Sequence, residues 1–177
     1  EARLVAVCDT DESKARKAAG RFGADTIHTD FRALAADPQI DAAIVCLPNH
    51  LHHPAVMELA SSGKHVLVEK PMAMNLEETD QMIRAAETAG ITLMVGHSRR
   101  FSRAIRIVRE RMPEIGSVFR IDISFLVLFT APQTEWWTDS KKAGPLVIPL
   151  QGSHSIDTIA WLLNKIPDTV YAFAQLH

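Results

Sequence analysis

The sequence predicts an α/β protein built on a doubly wound parallel sheet, and three observations predict it. Short, nearly unbroken apolar runs recur at Leu4–Cys8, Ala42–Leu47, Val66–Val68 and Ile91–Val95. Such runs suit strands buried on both faces, as in a parallel sheet. Helix-type segments separate them, and start or stop residues mark the ends of those segments. Strand and helix thus alternate, and right-handed crossovers turn that alternation into a parallel sheet covered on both faces.

Taken in order, the strand Leu4–Cys8 is followed by Asp9-Thr10-Asp11, which supplies capping residues. Glu12 to Phe22 then reads as a helix with Gly23 as its stop. Asp9 has two open readings. In a dinucleotide-binding sheet an acid at this strand end accepts hydrogen bonds from ribose hydroxyls and disfavours a 2'-phosphate. It would otherwise be a simple helix cap.

A helical turn at Phe31–Ala35 precedes Asp41 and the strand Ala42–Leu47, which Pro48-Asn49-His50-Leu51-His52-His53-Pro54 terminates. A helix opens here and runs to Gly63, and the polar groups of the turn are expected to face the sheet crevice and a bound cofactor. His50, His52 and His53 lack the i, i+4 spacing of a metal-binding helix, and no nearby acid or thiol completes a tetrahedral set. No metal site is expected.

The next strand runs straight into Glu69-Lys70-Pro71. Ligands bind at the carboxyl ends of strands in open parallel sheets. A lysine there can meet a substrate while its stem packs on apolar neighbours, and desolvation can tune it. The competing reading is a solvated ion pair stopped by a proline. Asn75 and Glu78 have capping-box spacing, a helix continues to Gly90, and Ile91–Val95 is the next strand.

Beyond Gly96-His97-Ser98-Arg99-Arg100-Phe101 the pattern changes. A helix from Ser102 to Met112 leads through Pro113 and Gly116 into a strand-like run, Val118 to Phe129, longer than its predecessors. A loop from Thr130 to Pro145 carries Trp136, Trp137 and Asp139. A helix through Leu163 and a strand from Thr169 to Ala174 close the chain. The division is therefore placed as residues 1–97 and 98–177, the second part being too small for a finished sheet domain.

The 177 residues hold 19 Lys and Arg against 21 Asp and Glu, and 47% are hydrophobic, which suits a soluble globular protein. The clustered arginines do not outweigh the acids, so no nucleic-acid partner is expected. No apolar run approaches the roughly 20 residues of a membrane span. Cys8 and Cys46 sit in strand-type runs and are expected to be small buried hydrophobes in a reducing, cytoplasmic compartment. The chain opens on Glu1 rather than Met, so its natural start is expected upstream.

The order Leu47-Pro48-Asn49-His50-Leu51-His52, Val66-Leu67-Val68-Glu69-Lys70-Pro71, Gly96-His97-Ser98-Arg99-Arg100-Phe101, Trp137-Thr138-Asp139 and Gly152-Ser153-His154-Ser155-Ile156-Asp157 resembles the Gfo/Idh/MocA family, which includes glucose-fructose oxidoreductase and inositol dehydrogenase. The resemblance implies an NAD(P)-dependent oxidoreductase acting on sugars, cyclitols or related polyols. It further implies a Rossmann domain and a C-terminal mixed sheet with the substrate site and an interface between copies, hence a homo-oligomer. By the same resemblance Lys70 contacts the reacting hydroxyl and His154 is the acid/base. Cofactor contacts would come from Asp9, Pro48, Asn49 and His52, and from Glu69, Lys70, His97 and Arg100. Asp9 favours NAD over NADP.

The sequence departs from the family pattern in three places. No G-x-G-x-x-G occurs, and the later strands of the substrate sheet are lacking, so a fragment is expected. Leu150 stands where the family has an aspartate four residues before the acid/base histidine, with Gln151 beside it and Asp157 three residues beyond His154. That replacement motivates a second reading, a non-catalytic ligand-binding or regulatory relative. Trp136 and Trp137 would either stack on a sugar face or anchor their loop.

Overall fold

The computed structural model describes residues 2–126, 134–144 and 152–173. They divide into two compact units, Glu1–Gly96 with Pro132–Pro145 and His97–Ala131 with Leu146–His177. In chain order the helices are α1 (Glu12–Phe22), α2 (Phe31–Ala36), α3 (His52–Ser61), α4 (Leu76–Ala89), α5 (Arg103–Arg111), α6 (Ser140–Ala143) and α7 (Ser153–Leu163).

The first unit is Rossmann-like, with every described strand pair parallel. β1 (Ala6–Cys8) pairs with β2 (Thr26–His28), Val7 lying opposite Ile27. β3 (Ala42–Val45), β4 (His65–Val68) and β5 (Leu93–Val95) form a second sheet with β4 in the centre. Val45, Val68 and Val95 share one register row, so these three strands end level.

Local chemistry sets the helix ends. Asp11 caps α1 by accepting from the Ser13 and Lys14 N–H groups, and Gly23 closes it at φ 72°, a left-handed conformation that glycine adopts without penalty. Asn75 accepts from the Glu78 N–H at 2.9 Å, while Glu78 reaches back to the Met74 N–H at 3.0 Å. The capping box is therefore displaced outward by one residue on its return arm.

The pleat sorts the strands' side chains. Val66 and Val68 of β4 and Val45 of β3 are buried with Val56 and Leu59 of α3 and Met82 of α4. Each such side chain contributes about 1.5–3 kcal/mol on burial. A slip of one residue would turn the whole set outward, so this face pins the register. On the opposite face Ile44 is 71% exposed and Met94 is also exposed. Among the described residues, α3 and α4 cover the face that carries Val45, Val66 and Val68.

Two strand expectations differ from the structure. Thr26–His28 becomes a strand although the segment is too short to stand out in the sequence; its β-branched Thr26 and Ile27 suit a strand, and pairing with β1 makes it one. Conversely, 118–126 of the expected strand Val118–Phe129 and 169–173 of Thr169–Ala174 join no described ladder, while 127–129 and Ala174 lie outside the described residues. A strand exists only when a neighbour accepts its hydrogen bonds, and no described segment does so here.

Candidate active site

The carboxyl ends of β3, β4 and β5 carry Cys46, Glu69 and Gly96 in one row. The ladder continues one step past the strands to hold them: the Glu69 N–H donates to the Val45 carbonyl at 2.9 Å and the Gly96 N–H to the Val68 carbonyl at 2.8 Å. Lys70 follows Glu69, and its backbone N–H donates to Glu69 Oε2 at 3.1 Å. The Lys70–Pro71 peptide is cis. Both Glu69 and Lys70 are half-buried. Cys46 is exposed rather than buried, because it sits past the last paired residue of β3. Its thiol is pushed above the ordinary value by partial burial and then by the Glu69 carboxylate.

The turn after β3 acts as a tie between loops. His52 is 1% exposed, with Nδ1 2.8 Å from the Pro71 carbonyl oxygen and Nε2 2.8 Å from that of Leu47. Both ring nitrogens thus lie against backbone carbonyls, where a cofactor contact was expected of His52. Asn49, 2% exposed, donates through Nδ2 to the Ala143 carbonyl at 2.9 Å and so holds α6. Its described hydrogen bond is likewise internal. Pro48 opens the 3-10 turn Asn49–Leu51 and accepts the Leu51 N–H at 2.8 Å. The segment before α6 carries Trp136 and Trp137 edge to face, 6.2 Å apart, and Asp139 caps α6 by accepting the Lys141 N–H.

In the second unit, Asp157 on α7 is the hub. The Arg100 Nε donates to Asp157 Oδ2 at 2.9 Å and its other arm to Oδ1, while His97 Nε2 lies 3.7 Å from Oδ1. The Asp157 side chain is 9% exposed. Its hydrogen bonds raise the already high Arg100 value further. Arg100, expected at the cofactor, thus anchors the 3-10 turn Ser98–Phe101 to α7; a bidentate fork on a carboxylate is the strongest partner available to it. His154 lies in the first turn of α7, where its carbonyl accepts the Thr158 hydroxyl at 2.6 Å. Leu150 and Gln151 lie outside the described residues.

A dinucleotide fits the donor set at two places. Asp9 follows β1 and uses Oδ1 to accept the Asp11 N–H at 2.9 Å, which leaves its second oxygen for ribose hydroxyls. Lys70 stands at the strand end where the reacting part of a ligand is expected. No glycine-rich phosphate loop occurs in the sequence. Among the described residues no three His, Cys, Asp or Glu side chains come together as a metal would require. Sequence reasoning missed the part of Ala143, whose carbonyl accepts from Asn49; no local signal marks a backbone acceptor of this kind.

Comparison with known proteins gives the family. Residues 1–97 match the oxidoreductase family with an NAD-binding Rossmann fold, and residues 102–177 match the GFO/IDH/MocA C-terminal domain. The chain is 31% identical over 175 residues to a 1,5-anhydro-D-fructose reductase from Ensifer adhaerens, covering 97% of this chain and 52% of the relative. It is 32% identical over 176 residues to D-xylose 1-dehydrogenase (NADP(+)) 2 from Haloferax volcanii, covering 97% and 53%. Among solved structures, a levoglucosan dehydrogenase in complex with NADH and levoglucosan aligns with TM-score 0.77 at 27% identity, over 90% of this chain and 44% of that one. The chain spans about half the length of the curated relatives it matches. With both stretches matched in chain order, it belongs to the Gfo/Idh/MocA family of oxidoreductases.

Proposed function

We infer that the protein to which this chain belongs is a nicotinamide-dependent oxidoreductase that transfers hydride to or from a carbinol carbon of a sugar, cyclitol or related polyol. The observation that carries this reading is Lys70 at the carboxyl edge of a parallel sheet, its backbone N–H held by Glu69, in a chain of this family. Bound nicotinamide supplies the hydride acceptor or donor. Lys70 stabilises the alkoxide oxygen that develops as the hydroxyl loses its proton, and His154 takes that proton, a task suited to imidazole near neutral pH. Asp9 would hold the adenosine ribose and favours NAD over NADP.

Residues up to 97 serve the cofactor and those beyond serve substrate and subunit contacts, with the described residues 134–144 grouping with the first unit. The relatives named as acting on anhydrofructose, xylose and levoglucosan support a sugar-like substrate. We place the protein in the cytoplasm as a homo-oligomer, as the unpaired cysteines and the family resemblance suggest.

The test is turnover by the full-length protein, followed at the absorbance of reduced nicotinamide with a panel of sugars and polyols. Lys70→Ala and His154→Ala are each expected to lower kcat by about 100-fold or more. Cofactor binding with turnover unchanged in Lys70→Ala would refute the assignment. Binding with no turnover in the parent protein would favour the non-catalytic reading that Leu150 motivates.

A further inference from the structure

Gly96 has no need of glycine on account of its backbone. The described glycines with positive φ are Gly23, Gly63, Gly90, Gly116 and Gly144, and Gly96 is not among them. What sets it apart is space: a Cβ there would lie 3.1 Å from Glu69 Oε1, 3.2 Å from Glu69 Cδ and 3.4 Å from Glu69 Cα. Neither backbone can retreat cheaply. The Gly96 N–H is held by Val68 and the Glu69 N–H by Val45, both continuing the ladder. A side chain at 96 must therefore move the Glu69 carboxylate, which is the acceptor of the Lys70 N–H.

We propose that Gly96 is a positioning residue for Lys70: its missing side chain is the space in which the Glu69 carboxylate folds back to hold the Lys70 backbone. The assignment rests on the reading of Lys70 as the substrate-contacting group, but its geometry can be tested without turnover. Cys46, the third member of the row, senses the same carboxylate and serves as the reporter.

The experiment uses the full-length protein with every cysteine other than Cys46 replaced by Ser, so that Cys46 is the single thiol. The pH dependence of its alkylation by iodoacetamide is measured together with amide exchange at Lys70 by NMR. Glu69→Gln removes the charge at constant volume and is expected to shift the alkylation midpoint down. Gly96→Ala and Gly96→Val press the carboxylate away from β5 and toward β3, so they are expected to shift the midpoint the opposite way, upward, the valine variant by more. Adding Gly96→Val to Glu69→Gln produces no further shift. Lys70 amide exchange accelerates about 2- to 10-fold in Gly96→Val as its hydrogen bond is lost. An unmoved midpoint in both Gly96 variants, or undiminished Lys70 protection, overturns the proposal, and Gly96→Ala decides it should the valine variant not fold. In full-length protein Gly96→Ala is expected to lower kcat with little change in the cofactor KM. Absence of turnover in the full-length parent protein would refute the proposed function, while the thiol and amide readings still decide the role of Gly96.

Discussion

The ring of His52 holds Pro71, one residue beyond Lys70, through an Nδ1 contact of 2.8 Å to the proline carbonyl oxygen. Its Nε2 makes the equivalent contact with Leu47, so one buried ring ties the end of β3 to the loop after β4. His52→Ala opens a cavity and removes the ring N–H that one of these carbonyls accepts. A loss of about 2–4 kcal/mol is expected. Urea unfolding checks this as a fall in midpoint at constant slope, and His52→Gln is expected to recover part of the loss because it can still donate to one carbonyl.

Asn49 connects the turn after β3 to Ala143 in α6, a helix too short to persist without such support. Asn49→Ala is expected to speed tryptic cleavage after Lys141 or Lys142 by about 2- to 10-fold, since cleavage follows local opening when opening and closing are fast. Peptide mapping locates the cut. Unchanged cleavage would mean that the loop is held by other contacts.

Asp157→Asn weakens the anchor that joins the 3-10 turn Ser98–Phe101 to α7. Arg100 is 41% exposed in its side chain, so solvent screens the pair. The expected cost is about 1–3 kcal/mol, below the roughly 3–5 kcal/mol of a wholly buried pair. Arg100→Lys keeps the charge and loses the fork, so it is expected to destabilise as well. Thermal unfolding of the two variants and their double mutant measures the coupling.

Asp11 gives a pH prediction with a definite sign. The Ser13 hydroxyl, then the Lys14 N–H, hold its carboxyl below the ordinary 3.8. Because the folded-state value is depressed, the cap's contribution is complete above the unfolded value and fades as pH falls through the folded one. Amide protection at Ser13 and Lys14 is therefore expected to decline only below about pH 4. Asp11→Asn, which caps without titrating, should flatten that decline in an NMR exchange series.

Much of the first unit was legible because local signals and global packing agree there. The span Glu12–Phe22, Asp11 as its cap and Gly23 as its stop were all readable, since capping and left-handed closure act within a few residues. β2 was not readable: Thr26-Ile27-His28 is a strand only because β1 lies beside it, and that pairing crosses an intervening helix. The run 118–126 has strand-like residues and no described neighbour to pair with, so its pairing cannot be read from local sequence either. At the candidate site, Glu69 and Lys70 were visible as charges breaking an apolar run. The inward turns of His52 and Asn49 were not, because a polar side chain that binds backbone and one that binds a ligand look alike in sequence.

The level ending of β3, β4 and β5 has an evolutionary consequence. Cys46, Glu69 and Gly96 occupy one short row whose backbones are pinned by the ladder, so their side chains share a limited volume. A gain in bulk at one position must be met by a loss at another. Among relatives, a larger residue at the position of Gly96 should accompany a shorter one at the position of Glu69, and an alignment spanning the family can count how often the two changes travel together.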